Sequence, residues 1–218
     1  MADIVGSSNR KGKSLMNDFK VAVAWANKMD KRQIVSPLTI TLGDEFQGVV
    51  KNAHSALQIV FDLEQYLMRL KNPFKIRYVI HEGEIETQLN RKNAHEMLGP
   101  GLTHARRVLV ALKSSRHRFN VSLKDKEVSE KLMLGMLIYQ GIVDRWTVAQ
   151  QRVVSAFWEQ LSDYRKVAKK LKKDPTVMWR RKRSLMIERR LFLKENISVS
   201  YARSCFRLLI CSGLITWN

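Results

Sequence analysis

The chain has 218 residues, 45% of them hydrophobic, with only 10 glycines and 4 prolines. That length and apolar content suit one large or two small folded domains, exclude wholesale disorder and disfavour a turn-rich all-β fold. Against 20 Asp and Glu stand 39 Lys and Arg, and the resulting charge of +19 points to a polyanionic partner such as nucleic acid.

In chain order, ADIV (2–5) reads as a short strand, and Leu15, Phe19, Val23 and Ala26 carry the helical period that predicts a helix over 14–29. Between them Gly6, Gly12, Lys13 and Ser14 suggest a phosphate-binding loop. Five residues separate the two glycines, one more than that loop uses, so Gly12-Lys13-Ser14 is read as a helix start with basic flanks. PLTITLG (37–43) is strand-like, 49–70 is a long amphipathic helix, FKIRYVIHEGEI (74–85) is strand, turn and strand, 101–114 is a helix and 119–123 a strand. Beyond about residue 125 only helices are predicted, over 126–140, 148–161, 165–173, 175–195 and 198–213. The expected organisation is an α+β or α/β domain over 1–125, a sheet covered by helices, then a helical connector at 126–146 and a small all-α domain over 147–218.

The longest apolar run, residues 132–143, is too short to span a membrane, and the N-terminus lacks a signal-peptide pattern. Cys205 and Cys211 fit no zinc spacing and read as buried small hydrophobes, in keeping with a cytoplasmic location. The five histidines, at 54, 81, 95, 104 and 117, show no metal-ligand spacing and read as surface or packing residues.

Residues 163–194 hold 13 basic residues against three acidic ones. DYRKVAKKLKKDPTVMWRRKRS (163–184) has the punctuation of a helix-turn-helix. Val167, Ala168 and Leu171 face inward on a first helix, and Asp174 then Pro175 start a second. On that reading Thr176, Trp179, Arg180 and Arg183 face a DNA groove while Lys169, Lys170, Lys172 and Lys173 hold the backbone. Lys172 stands where such turns usually carry glycine, and the alternative is a basic helix pair used for protein packing or RNA.

Asp3 ends the first strand and Asp44 follows a β-branched strand and a turn glycine. Two carboxylates at neighbouring strand tips suit Mg²⁺, which takes one or two carboxylates and fills its shell with water and phosphates. The alternative is a pair of turn and cap aspartates. ADIVGSS, TLGDEFQG, IRYVIHEGEI and LGPGLTHARRVL follow one another as in the class III nucleotidyl cyclase core, a ferredoxin-like palm. Together with an all-α tail that begins with Trp146 and Gln150, the chain resembles the SatD family. The resemblance implies Asp3 and Asp44 as Mg²⁺ or Mn²⁺ ligands and Ile4, Gly6, Ser7, Ser8, Glu96, Thr103 and Arg107 as nucleotide or phosphate contacts. Arg107, next to Arg106, falls on the arginine that meets the triphosphate. Thr103 replaces the cyclase asparagine, Ile40 the purine-reading lysine, and Ser7-Ser8 a Phe-Thr pair. These departures imply ligand binding without efficient turnover. The expected function is therefore a DNA-binding transcriptional regulator with a nucleotide- or phosphate-binding domain. An active cyclase or nucleotidyltransferase is the alternative, and a homodimer is implied by resemblance.

Overall fold

The structure, a computed structural model, describes residues 1–7 and 12–189. Its first part runs β1 (Ala2–Ile4), α1 (Gly12–Met29), β2 (Ile34–Ile40), β3 (Glu45–Val50), α2 (Ala53–Leu67) and β4 (Ile76–His81). Then follow α3 (Pro100–Leu112), β5 (Phe119–Ser122), α4 (Lys126–Val143), α5 (Val148–Glu159), α6 (Tyr164–Leu171) and α7 (Pro175–Ser184). The fold is mixed α and β. One open sheet has the order β2-β3-β1-β4-β5, with every pairing antiparallel except β4–β5.

Alternation along the strands divides the sheet into two faces. Ala2, Ile4, Phe46, Ile76, Tyr78 and Ile80 point into the main core, where they meet Phe19 and Val23 of α1 and Leu57, Val60 and Phe61 of α2. The same cluster continues through Met136 and Tyr139 of α4 to Phe157, Val167, Met178 and Ile187, so the C-terminal helices share one core with the sheet. Val79 points to the other face and packs with Ala105, Leu109 and Leu112 of α3.

Three expected elements differ. Residues 45–48, assigned to no element, and 49–50, read as the start of a helix, form β3. Their Phe46 is buried on the core face, and Asn52, accepting from the Ser55 amide, starts α2 at Ala53. Of the strand, turn and strand read over 74–85, only the first strand forms, and residues 82–86 belong to no strand. This backbone lies instead against the first turn of α3, with the Gly101 amide donating to the Glu84 carbonyl. A Cβ on Gly101 would stand 2.7 Å from the Gly83 carbonyl carbon, so that crossing requires glycine. The helix expected over 175–195 is broken after Ser184, where Met186 takes a left-handed φ of 52° and Leu185 and Ile187 turn into the core; residues 187–189 are helical again, and 190–195 lie outside the described residues. The helix expected over 198–213, and both cysteines, lie outside the described residues.

β1 is shorter than its neighbours. Where β3 and β4 run on past it, a cavity of about 370 Å³ is lined by Met1, Gln47, Gly48, Val49, Ile80 and His81. No helix among the described residues is long and apolar enough to cross a membrane.

Candidate functional site

Register places one charged row across the face that α3 covers. Asp3 is level with Glu45 on β3 and with Arg77 on β4. Asp3 is only 2% exposed. Its Oδ2 lies 3.2 Å from Arg77 Nη1 and 3.6 Å from Lys113 Nζ. Lys113 also donates to Glu45 Oε1 at 3.1 Å, and Arg106 reaches Glu45 Oε2 at 3.4 Å. Arg106 and Lys113 stand seven residues apart, which is two helical turns, and so share one face of α3.

Asp44 enters from the β2–β3 connection. Its carbonyl accepts from the Ile4 amide at 3.0 Å, and its Oδ2 accepts from Ser7 Oγ at 2.5 Å. Gly6, with φ of +66°, turns the chain after β1 so that Ser7 can make that bond. Burial raises the Asp3 pKa, and Asp44 and Glu45 raise it further, while Lys113 and Arg77 oppose. Burial works against the Lys113 charge, but its bond to Glu45 and the field of Asp3 hold its pKa above the usual lysine value. Asp3 Oδ1 is buried without a hydrogen-bond partner. That orphaned acceptor beside a second carboxylate is the feature that fits a hard cation. Among the described residues no group of three or more His, Cys, Asp or Glu is placed to hold a metal, so these residues would supply a two-carboxylate set.

The remaining expected contacts divide. Ile4 is buried in the core face of β1. Of the adjacent arginines, Arg106 reaches the acidic row. Arg107 lies one step round the helix, exposed, with Nη2 3.1 Å from His104 Nδ1. Thr103 is exposed on the first turn of α3 with its hydroxyl on the Gly99 carbonyl, and Glu96 sits exposed in the 82–99 loop with φ of 63°. Ile40 ends β2, half-buried. Ser8 lies outside the described residues. Glu45, Arg77 and Lys113, absent from the expected set, complete the row. Their signal was available for two of them: Glu45 and Arg77 occupy the alternate positions to Phe46 and to Ile76 and Tyr78 on otherwise apolar strands.

The basic helix pair forms as α6 and α7, joined by Lys172, Lys173 and Asp174. Lys172 adopts a left-handed φ of 51°, the role a glycine commonly takes at that point. Asp163 and Asp174 cap the two helices by accepting backbone amides. Val167, Ala168 and Met178 are the buried residues of the pair. Lys169, Lys170, Lys172, Lys173, Thr176, Trp179, Arg180 and Arg183 are all exposed, as is Arg181. The Arg183 guanidinium sits 5.1 Å from the centre of the Trp179 ring, and Lys170 pairs with Glu159 of α5.

A further charged node went unread in the sequence. Arg118, 5% exposed, donates to both Asp144 oxygens and both Glu64 oxygens at 2.9–3.1 Å, and to the Ile76 carbonyl at 2.7 Å. Although burial opposes the charge, Glu64 and Asp144 hold this guanidinium firmly protonated. Nothing in the local pattern of RHRFNV distinguishes Arg118 from its basic neighbours, because its partners lie on α2 and just after α4.

No curated protein and no solved structure matches the chain. The family model described as the SatD family matches residues 1–198, and on that match the chain belongs to the SatD family.

Proposed function

We infer that this SatD-family chain is a DNA-binding transcriptional regulator, and that its sheet domain takes a nucleotide or other phosphate ligand with Mg²⁺. The observation that carries the reading is the exposed cationic surface of α6 and α7. Eight side chains suited to phosphates and base edges lie on a pair of capped helices and the turn between them, and the few apolar residues of the pair include Val167, Ala168 and Met178 turned inward. This part of the chain would act as a helix-turn-helix, with α7 as the recognition helix. Arg180 and Arg183 would contact the groove, Trp179 would pack against it, and the lysines would hold the phosphate backbone.

For the sheet domain, the order β2-β3-β1-β4 with α1 and α2 on one face supports the reading of a ferredoxin-like palm, the fold the cyclase resemblance implies. Asp3 Oδ1 and Asp44 would hold the cation, with water and phosphate oxygens completing its shell. Arg106 and Lys113 would offset phosphate charge. Bound, the ion would supply charge neutralisation for the ligand. The protein's own residues position it, since Ser7 orients Asp44 and Arg77 holds Asp3 in the row. Binding without efficient turnover is favoured over a working cyclase because Asp3 already carries two cationic neighbours, and because Thr103 and Ile40 lack the groups of their cyclase counterparts. Asp144 ends α4 and is held by Arg118 and Lys75, giving a direct path from the sheet to the C-terminal helices.

Two measurements test the reading. Arg180→Ala with Arg183→Ala should lower DNA affinity at least tenfold, since each arginine removed from the groove costs roughly 1–3 kcal/mol. Unchanged affinity rejects α7 as the recognition helix. In a thermal-shift screen of nucleotides with and without Mg²⁺, a metal-dependent rise in midpoint should be seen and should vanish in Asp3→Asn. A shift equal in that variant removes Asp3 from the site.

A further inference from the structure

The charged row of the sheet sets Asp3 and Glu45 against Arg77, Arg106 and Lys113. Asp44 adds its field to Asp3 and to Lys113. Three carboxylates therefore face three cations, and the row as described carries no excess of negative charge. A divalent ion entering it meets resident cations already drawing on the same oxygens. The like charges repel across a few ångströms, at a site too buried for water to screen them fully. Such an ion is admitted where one resident cation can leave.

The three cations are held differently. Arg77 lies on β4 level with Asp3, and its side chain is only 14% exposed. Arg106 reaches Glu45 and not Asp3. Lys113 bridges the two carboxylates, with Nζ 3.1 Å from Glu45 Oε1 and 3.6 Å from Asp3 Oδ2, yet its side chain is 43% exposed. It follows the last residue of α3, and its amide is bonded back to the Val110 carbonyl. The backbone is thus fixed while a flexible four-carbon stem carries the charge. That stem can swing towards solvent without disturbing the helix. Its departure leaves Arg77 on Asp3 and Arg106 on Glu45, so the row keeps its shape. The carboxylate it touches is also the one whose Oδ1 is buried without a partner. We propose that Lys113 is a tethered counter-ion of Asp3 and Glu45, which competes with a divalent cation for the Asp3 carboxylate and must withdraw to admit it. The proposal rests on the reading of Asp3 and Asp44 as cation ligands and adds the residue that regulates their occupancy.

Titration of the full chain with Mn²⁺ alone tests it, the free ion being counted by electron paramagnetic resonance and folding checked by circular dichroism. Lys113→Met removes the charge and keeps most of the stem. It should bind Mn²⁺ about tenfold or more tighter than the wild type, the effect of removing one like charge at this range. Lys113→Gln supplies a second neutral side chain should the Met variant misfold. Lys113→Arg restores a cation and should return the affinity towards the wild-type value. Arg106→Met, which frees Glu45 alone, should tighten binding less than Lys113→Met. Asp3→Asn should abolish binding in each of these backgrounds. Equal Mn²⁺ affinity in the wild type and Lys113→Met, lost in Asp3→Asn, would keep the cation site and overturn the role of Lys113. So would an Arg variant that binds as tightly as the Met variant, or an equal gain from Arg106→Met. Mn²⁺ binding that is absent throughout, or indifferent to Asp3→Asn, would reject the cation site itself and the proposal with it.

Discussion

His81 shows how one residue joins several elements. It ends β4, lies beside the close approach of Gly83 and Gly101, and stacks on His104 of α3 with ring centres 4.4 Å apart. Burial lowers its pKa below the ordinary 6.5, and the neighbouring His104 lowers it further. The unfolded chain therefore takes up this proton before the folded one does. The stability His81 contributes is present above pH 6.5 and is lost as pH falls through its lower folded value. His81→Phe keeps a ring to stack on His104 and removes the titration. Thermal midpoints measured on acidification should fall less steeply in the variant than in the wild type. Parallel curves would mean that His81 does not titrate in that window. At the same scale, Arg106 and Arg107 are adjacent in sequence yet belong to different environments, because successive helical positions are about 100° apart. Choosing between them required the register of α3 on the sheet.

Arg118 acts between elements. It sits just before β5 and fastens α2 through Glu64, β4 through the Ile76 carbonyl, and the end of α4 through Asp144. With the guanidinium gone, buried Glu64 would lose its cationic partner, while Asp144, 22% exposed, would keep Lys75. Arg118→Ala should cost about 3–5 kcal/mol, the usual penalty for stranding one side of a buried ion pair. Urea unfolding followed by circular dichroism should show the midpoint fall with little change in slope. A loss below about 1 kcal/mol, the range of exposed pairs, would mean that solvent reaches the node. The boundaries of the elements were less legible than their existence. The core periodicity of α1, α2 and α4 was plain in the chain. β3 was hidden behind the turn-forming Gly43-Asp44, and only its pairing with β1 and β2 makes it a strand.

Across the whole molecule the charge is unevenly spread. The sheet row balances Asp3 and Glu45 against Arg77, Lys113 and Arg106, whereas the exposed faces of α6 and α7 carry few acids. If those faces take up a nucleic-acid backbone, binding should weaken steeply with salt. Lys169→Ala, Lys172→Ala and Lys173→Ala together should then flatten the logarithmic salt dependence by about 0.9 for each phosphate no longer neutralised. Fluorescence anisotropy titrations at several salt concentrations give the slope directly, and an unchanged slope would place the polyanion elsewhere.

The sequence by itself determined the mixed α and β class, the change to helices alone among the described residues after about 125, the basic block, and the family. Each is written locally, in apolar period, caps, turn residues and short motifs, or in composition. Tertiary structure decided the rest, because it depends on pairings distant in the chain. Strand register sets Asp3 level with Glu45 and Arg77. The packing of α3 brings Arg106 and Lys113 onto that row, and Arg118 collects partners from three elements. The common core joins the sheet to the described tail helices up to residue 189, which bury their apolar sides against the same cluster that covers the sheet.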